Sequence, residues 1–321
     1  MLRRSIALSL LFLSLLTNRG AVSDDWGFHS HQLINRLSVF TLPPEMLMFY
    51  KANIGYLTKK AVNPDMRRYI DPDEGARHYI DLDVYGDSAV FLMPRYWSQA
   101  IKKYTEDTLK KYGIVPWHIM SVKNYLTKAF ANQDAAQILR LSADLGHYIG
   151  DANVPLHTTE NYNGQLTGQY GIHGFWESRL PELYAEEYDY YIGTAKYLVQ
   201  PQLTVWEAIA SAHEAVDSVL LMEKELSLGI NKKYNYETRG SRVIKVYSEV
   251  FSEKYHHRLN GMVERQMRRS IQMIGDFWYT CWVDGGQPNL SELLVEIQEE
   301  PVLQLKGHIR RRHESGTVVK E

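Results

Sequence analysis

Residues 147–157 read HYIGDANVPLH and place three metal-binding side chains within one short stretch. His147 and Asp151 stand four residues apart, so on an α-helix they share one face. His157 follows after a few residues, and His173 and Glu177 repeat the four-residue spacing further along the chain. Imidazole and carboxylate together suit zinc. The stretch therefore predicts helices that carry pairs of metal ligands on either side of a loop.

Two more candidate ligands lie upstream. Asp65 precedes His78 by thirteen residues, and His78 stands within the sequence RHYID. These seven side chains exceed what one tetrahedral zinc ion accepts, so the sequence predicts more than one metal ion. Four histidines have no partner at ligand spacing and are interpreted as ordinary hydrogen-bonded residues: His118, His213, His256 and His257.

The first residues are typical of a secretory signal peptide. Arg3 and Arg4 precede an apolar run, Ser5 to Leu16, which is too short to span a bilayer comfortably. Residues 21–23 read AVS and offer the small side chains that a signal peptidase requires. We predict a signal peptide over residues 1–23 and a secreted or periplasmic protein, with an N-terminal membrane anchor as the alternative.

Charge and cysteine content narrow the function classes. Removal of residues 1–23 takes away three of the 36 basic residues and leaves 33 against 38 acidic ones. This balance argues against a protein that grips long duplex DNA through its phosphates. It permits a nuclease whose own metal ions supply positive charge. The single cysteine, Cys281, allows no intrachain disulfide, and its apolar surroundings predict a buried, inert thiol.

Apolar residues recur at every third or fourth position over most of the chain. The spacing predicts helices over residues 32–40, 44–59, 97–112, 120–131, 135–151, 175–187, 204–228, 241–259 and 262–282. Strand signals are weak, and residues 70–75 and 158–171 are expected to be loops. We predict an all-α fold, with one multi-helix domain over residues 24–300 and a metal cluster between its helices. The basic tail, residues 301–321, is expected to be disordered and solvated, with nucleic acid or anionic lipid as an alternative partner.

Residues near the predicted mature N-terminus complete a longer pattern. The chain carries, in order, W-G-x-x-x-H from Trp26 to His31, D-x-x-R, H-Y-I-D, H-x-x-x-D-x-x-x-P-L-H and H-x-x-x-E. This series resembles the zinc-dependent phospholipase C and single-strand nuclease superfamily, whose nuclease branch is called the S-one/P-one family. The resemblance runs from Trp26 to about Leu183. It implies an all-helical domain of the phospholipase C/nuclease type with a cluster of three zinc ions.

The resemblance also implies which residues bind each ion. One zinc would be held by Asp65, His78, His147 and Asp151; a second by Asp151, His31 and the backbone of Trp26; and a third by His157, His173 and Glu177. The family's mature chain begins at the Trp, whereas here Asp24 and Asp25 precede Trp26. An amine ligand therefore requires trimming to Trp26, and Asp25 is the substitute donor otherwise.

The implied chemistry is attack of water on phosphorus. Zinc ions in a cluster activate water and stabilise phosphoryl oxygens. Asp65 is expected to be both a ligand and the carboxylate that orients or deprotonates the water. Arg68 matches an arginine that lies close to the phosphate in the nuclease branch, and a surface arginine is the alternative. We predict a secreted hydrolase of phosphate esters with two to three zinc ions, most favourably a nuclease or nucleotidase acting on single-stranded nucleic acid.

The leaving group is less clearly indicated. Tyr79 and Asp81 match positions that line a base site in the nuclease branch, and Tyr162 and Asn163 fall in the loop between the last ligand groups. The same side chains would suit the head group of a phospholipid. Glu177, where an Asp would favour the nuclease, points toward phospholipase C, which is the alternative function. A non-enzymatic zinc-binding protein is a further alternative, and no H-E-x-x-H motif of a zinc peptidase is found.

Overall fold

The computed structural model describes residues 28–293. The predicted signal peptide, Trp26 and the predicted tail, residues 301–321, lie outside the described residues. Within that range the fold is predominantly helical, as predicted. The α-helices are α1 (Phe28–Ser38), α2 (Pro44–Ala52), α3 (Ile54–Lys60), α4 (Asn63–Arg67), α5 (Ala89–Leu92), α6 (Trp97–Tyr104), α7 (Glu106–Tyr112), α8 (Val115–Ala131), α9 (Ala135–Ala152), α10 (Ile172–Gly174), α11 (Leu180–Tyr184), α12 (Pro201–Glu214), α13 (Val216–Gly229), α14 (Glu249–Arg258) and α15 (Met262–Asp284).

Short segments of other geometry connect these helices. The 3-10 helices are Val39–Thr41, Gly75–His78, Leu82–Tyr85, Pro155–His157, Ala185–Glu187 and Leu290–Leu293. Residues Phe175–Arg179 form a π-helix. The strands β1 (Tyr234–Arg239) and β2 (Arg242–Tyr247) form an antiparallel hairpin in which Tyr234 pairs with Tyr247 and Arg239 with Arg242.

Helix α9 is the centre of the fold. Every residue from Leu141 to Ala152 is buried, and a helix buried on all sides must be enclosed by other elements. Helices α1, α3, α8, α12 and α15 pack around it. Since α9 carries His147 and Asp151, the burial of this helix places those two side chains deep inside the protein.

Two glycines allow α1 to approach α9 closely. A Cβ atom on Gly146 would overlap the amide of Asn35, and one on Gly150 would lie 2.8 Å from Ile34 Cδ1. The Asn35 side chain is fully buried and donates to the carbonyl of His31. This close packing brings the ring of His31 onto that of His147, with ring centroids 4.0 Å apart.

The predicted helix over residues 241–259 is wrong in its first half. Residues Arg242–Tyr247 form β2, and the helix α14 begins only after Ser248, whose hydroxyl accepts a hydrogen bond from the backbone N–H of Phe251. Gly240 adopts a φ of +58° and makes the tight turn between the strands. The β-branched residues of RVIKVY favour the strand over the helix. The described domain is therefore predominantly helical, in agreement with the predicted fold class, and contains one small β-hairpin that the prediction missed.

Several predicted helices are interrupted. The helix predicted over residues 97–112 divides into α6 and α7 at Thr105, which has a φ of 63° and caps α7 by accepting from the N–H of Thr108. Residues 44–59 divide at Asn53, and residues 204–228 at Ala215. The apolar spacing continues across each break, so periodicity alone does not reveal it. The loops predicted over residues 70–75 and 158–171 are confirmed apart from isolated turns and the start of a 3-10 helix at Gly75.

The predicted burial of Cys281 is confirmed. Cys281 is buried in α15, and burial raises the pKa of its thiol to about 12. Pro116 lies in the first turn of α8, where its missing N–H costs no helical hydrogen bond. None of the helices that the structure describes combines the length and apolar character needed to cross a membrane.

We predict that Gly146→Ala destabilises the protein, because its methyl group would force α1 away from α9. The expected loss is about 1–3 kcal/mol of the free energy of unfolding, the range found for overpacked cores. Denaturant unfolding of both proteins measures it. Gly55→Ala is the control, because a Cβ atom there meets nothing within 4 Å. A Gly146→Ala protein as stable as Gly55→Ala would contradict the close approach of the two helices.

Candidate metal centre

Eight of the predicted metal ligands lie within the described residues, and all eight converge. His31 comes from α1, Asp65 from α4, and His147 and Asp151 from α9. The others stand on short irregular elements: His78 and His157 end 3-10 helices, His173 is in α10 and Glu177 is in the π-helix. Four triplets each bring three ligand atoms within 4.8 Å of one another and could hold a metal ion: His31/Asp65/His147, His78/His147/Asp151, His31/Asp151/Glu177 and His157/His173/Glu177.

The first group is built on α9. His147 Nε2 lies 3.0 Å from His78 Nδ1, and Asp151 Oδ2 lies 2.9 Å from His78 Nδ1 and 3.3 Å from His147 Nε2. Asp65 Oδ1 lies 3.7 Å from His78 Nδ1 and 3.8 Å from His147 Nε2. These four side chains are the set that the sequence assigned to one ion, and the structure brings them together.

A second group shares carboxylates with the other two. His31 Nε2 lies 3.3 Å from Asp151 Oδ1, the oxygen that faces away from the first group, and 3.3 Å from Glu177 Oε1. The sequence assigned Glu177 to the third ion alone, whereas here its two oxygens face different groups. Glu177 faces both groups because α1 packs against the π-helix. At this contact Ser30 Oγ donates to the Glu177 carbonyl at 2.7 Å. No sequence spacing reports that contact.

The third group lies nearest to solvent. His157 Nε2 is 3.1 Å from His173 Nε2, and Glu177 Oε2 is 3.3 Å from the first nitrogen and 2.6 Å from the second. The His173 side chain is 25% exposed, whereas those of His147 and Asp151 are 0% and 1% exposed. Ligand groups therefore run from a fully buried end to a partly open one.

The hydrogen bonds of two histidines show that these nitrogens fit a cation. His147 Nδ1 donates to the Ala61 carbonyl at 2.9 Å, and His157 Nδ1 donates to the His78 carbonyl at 2.6 Å. A carbonyl only accepts, so in the neutral ring each Nε2 carries a lone pair. Those lone pairs face another imidazole nitrogen and a carboxylate, an arrangement that a bound cation or a shared proton satisfies. Donors about 2.0–2.2 Å from a tetrahedral ion stand roughly 3.3 Å apart, close to the separations found here.

The pKa values of His157 and Asp151 show that imidazoles and carboxylates stabilise each other's charged forms in the cluster. Burial lowers the pKa of His157, but the charges of Asp151 and Glu177 outweigh it and raise that pKa to about 9. Burial would raise the pKa of Asp151, yet the histidines around it hold it well below its ordinary value. A proton on His157 and a metal ion would each neutralise the negative charge of Asp151 and Glu177, so protons and metal compete for the site.

A buried carboxylate that the sequence analysis missed lies behind His78. Glu74 is 0% exposed, with Oε1 3.6 Å from His78 Nε2. It accepts hydrogen bonds from the Tyr148 hydroxyl and from Arg77 Nη1, and Arg67 Nε lies 3.4 Å from it. A carboxylate on the far nitrogen of a ligand histidine orients the ring. The sequence does contain a signal for this contact, because Glu74 stands four residues before the candidate ligand His78.

Asp65 and Arg68 stand at the rim of the first group. Burial would raise the pKa of Asp65, but the charges of His147 and His78 outweigh it and lower that pKa. Its side chain is 18% exposed, and Arg68 Nη1 lies 3.4 Å from Asp65 Oδ1. The Arg68 side chain is 55% exposed, so its guanidinium faces solvent beside the cluster.

The four predicted substrate contacts differ in their surroundings. Tyr162 stands edge-on to His173, with ring centroids 6.0 Å apart, so it lies beside the third group. The Asn163 side-chain oxygen accepts from the N–H of Gly171 at 3.0 Å and helps to close the loop. The Tyr79 hydroxyl donates to the Lys111 carbonyl at 3.2 Å, and Asp81 is 6% exposed. Tyr162 is thus in ring contact with a predicted ligand, His173.

No protein-family model matches the chain, and no curated protein matches it. The geometry of the described residues is therefore the independent observation beside the motif resemblance. His118, His213, His256 and His257 belong to none of the metal-binding groups found among residues 28–293, in keeping with their interpretation. His118, for example, is partly buried, and this burial lowers its pKa to about 3.

We predict that Asp151→Asn lowers the metal content more than His173→Ala. Asp151 faces two groups, whereas His173 belongs to one, so the expected losses are two ions and one ion. Elemental analysis of purified protein gives the content, and circular dichroism checks the helices. His257→Ala, which changes an exposed histidine outside the groups, is the control. Equal metal content in all three variants would contradict the shared role of Asp151.

We predict that Glu74→Gln reduces stability in a pH-dependent way. Burial would raise the pKa of Glu74, but contacts with His78, Tyr148 and Arg67 hold it below its ordinary value. The ionised form therefore stabilises the fold above the unfolded pKa of about 4.3, and this contribution is lost as the pH falls through the folded pKa. Unfolding free energies should differ by about 1–3 kcal/mol at pH 7. The difference should narrow as the pH is lowered below about 4.

The control for this experiment is Glu106→Gln. Glu106 forms an exposed pair with Lys110 on α7, which contributes little to stability. A difference between wild type and Glu74→Gln that stays constant from pH 7 to pH 3 would show that the charge of Glu74 is not the stabilising feature.

Proposed function

We propose that the chain is a multi-zinc hydrolase of phosphate esters, most favourably a nuclease or nucleotidase that cleaves phosphodiesters of single-stranded nucleic acid. The observation that carries the proposal is the sharing of two buried carboxylates, Asp151 and Glu177, among three adjacent ligand groups. Sharing holds two to three cation positions side by side, as a clustered phosphoesterase site requires. Imidazole nitrogens and carboxylate oxygens are donors that suit zinc.

When bound, zinc supplies Lewis-acid activation of water and of the phosphoryl group. The chain's own residues supply orientation and proton transfer. Asp65 lies at the rim of the buried group, and its lowered pKa keeps it ionised at neutral pH. We assign to this carboxylate the role of orienting a water molecule and accepting its proton. Arg68 beside it is exposed enough to reach a phosphate oxygen and stabilise its charge.

The substrate class rests on aromatic surface beside the open end of the cluster. Tyr162 offers a ring next to His173, and bases stack on such rings whatever their sequence. The same proposal includes membership of the zinc-dependent phospholipase C and single-strand nuclease superfamily. It also includes export of the protein by the signal peptide. A phospholipase C remains the second candidate because position 177 is Glu.

One panel of substrates tests the proposal on purified protein with zinc. Single-stranded DNA, RNA, phosphatidylcholine and bis-nitrophenyl phosphate are offered in parallel, with and without a chelator. Cleavage of DNA or RNA that the chelator abolishes is the expected result. Cleavage of phosphatidylcholine alone would replace the nuclease by the phospholipase. Zinc binding with no turnover of any phosphodiester would leave a zinc-binding protein and contradict the enzyme.

We predict that Asp65→Asn lowers turnover by about a hundredfold or more, the range assigned to a general base. The substitution keeps the size of the side chain but removes the charge that accepts the proton. Initial rates at saturating substrate measure the loss, and elemental analysis separates it from loss of metal. Asp107→Asn, at an exposed position on α7, is the control. An unchanged rate in Asp65→Asn would remove this residue from the mechanism.

We predict that Arg68→Ala lowers turnover by less than Asp65→Asn does, at most by about a hundredfold, the lower end of the range for one charge-stabilising donor (roughly 2.7 kcal/mol). Its exposed position means that the fold should be unaffected. Rates of Arg68→Ala and of the control Arg36→Ala, an exposed arginine on α1, are compared. Equal rates would identify Arg68 as an ordinary surface arginine.

A further inference from the structure

The ligand Glu177 lies in the least regular helical segment of the domain. Residues Phe175–Arg179 form a π-helix, which is rare and usually confined to a single turn at functional sites. Neighbouring elements contact this turn at both ends, at Phe175 and at Arg179. The neighbours of this turn therefore decide where Glu177 points.

Charged residues of the β-hairpin form ion pairs with residues that follow Glu177 in the chain. Arg179, only 8% exposed, donates to both carboxylate oxygens of Glu237 on β1, at 2.5 and 3.2 Å. Arg239, also on β1, donates to both oxygens of Glu182 at 2.9 and 3.3 Å. Arg239 Nη2 also lies 3.4 Å from Glu237 Oε2. Two-pronged contacts of this kind fix direction as well as distance.

An aromatic stack holds the other end of the turn. The ring of Phe175 lies parallel to that of Tyr247 on β2, with centroids 3.7 Å apart and an interplanar angle of 7°. On α14, Tyr255 stacks against the same ring at 4.9 Å. All three rings are buried. The π-helix is therefore fixed at its first residue by packing and at its last by an ion pair, both of which involve the hairpin.

The loop between His157 and His173 is anchored to the same region. Gln169 Nε2 donates to Glu223 Oε2 at 2.5 Å and to the Leu220 carbonyl at 2.8 Å, both on α13. Glu223 is fully buried and pairs with Lys233, the residue that precedes β1. The ammonium group of Lys233 lies 5.5 Å from the ring centroid of Tyr247, the same ring that stacks on Phe175. The loop between His157 and His173 and the turn that carries Glu177 are therefore both held by the same region of the protein, which includes Glu223, Lys233 and Tyr247.

The first ligand group has different supports. His147 donates to the Ala61 carbonyl, and His78 faces Glu74. Both lie on or beside α9, which the helical bundle encloses. Loss of the hairpin contacts should therefore affect one group of ligands and spare the other.

We propose that the β-hairpin, residues 234–247, is a brace that positions Glu177 and sets the metal affinity of the third ligand group separately from the first. The inference rests on the proposed metal centre. Glu237 and Arg239 are positioning residues, because they act on the ligand through Arg179 and Glu182. The hairpin thereby controls the ion at the open, substrate-facing end of the cluster.

The experiment measures stepwise zinc affinity of the full chain by competition with a chelator of known affinity. Glu237→Gln keeps the shape of the side chain and removes the ion pair with Arg179. We expect the weakest-bound zinc to lose about ten- to a hundredfold in affinity, the effect of losing a ligand's outer support. The ion of the first group, which does not include Glu177, should be unchanged. Glu225→Gln, which breaks an exposed pair with Arg258, is the matched control.

Two further variants link the effect to the third group. In the double variant Glu237→Gln/His173→Ala, the losses should not add, because both substitutions act on one ion. The charge exchange Arg179→Glu/Glu237→Arg should restore affinity toward that of the wild type. It also separates positioning from folding, since restored binding requires the pair and not either residue alone.

Each outcome decides one of the two proposals. A wild-type protein that binds no zinc contradicts the proposed function and the brace with it. A wild type that binds zinc, with Glu237→Gln unchanged in every step, contradicts the brace alone. Equal weakening of all ions by Glu237→Gln would also overturn it, because the hairpin would then support the whole fold and not the third group.

Discussion

The structure depends on a single buried carboxylate, that of Asp151. Its side chain is 1% exposed, and its two oxygens lie between 2.9 and 3.8 Å from nitrogens of His31, His78, His147 and His157. A charge so deeply buried is costly unless it is paired. The rings that surround Asp151 come from α1, α9 and two short 3-10 helices, so pairing this one charge requires all four elements to meet.

Part of the centre could be predicted from the sequence, because spacing along a helix translates directly into direction. His147 and Asp151 share a face of α9 for that reason, and the 3-10 helix that follows brings His157 back to the same point. Neighbouring elements decide the remainder. Sharing of Glu177 between two groups depends on the packing of α1 against the π-helix, where the contacting residues Ser30 and Glu177 are 147 positions apart, and no local period records such a contact. Glu74, by contrast, stands only four positions before His78.

The errors in the predicted fold have the same origin. The apolar residues of RVIKVY fit a helical period, and only the turn at Gly240 and the cap at Ser248 mark the hairpin that the prediction missed. Helix breaks at Asn53, Thr105 and Ala215 likewise leave the apolar pattern intact. Amphipathic spacing identifies which residues face the core, whereas caps and left-handed residues decide where each element ends.

The hydrogen bond from His157 to the carbonyl of His78 has a consequence for the timing of assembly. The N–H of Ile80 donates to the His157 carbonyl and that of Leu82 to the Thr158 carbonyl, so the two ligand segments are fastened side by side. Their partners are distant in sequence, and α1 is covered by α15 near the end of the described chain. During synthesis His78 therefore emerges 79 residues before His157, whose ring donates to its carbonyl. The candidate ligand groups are complete in the chain only once Glu177 has been made, and α15, which packs on α1, follows all of them.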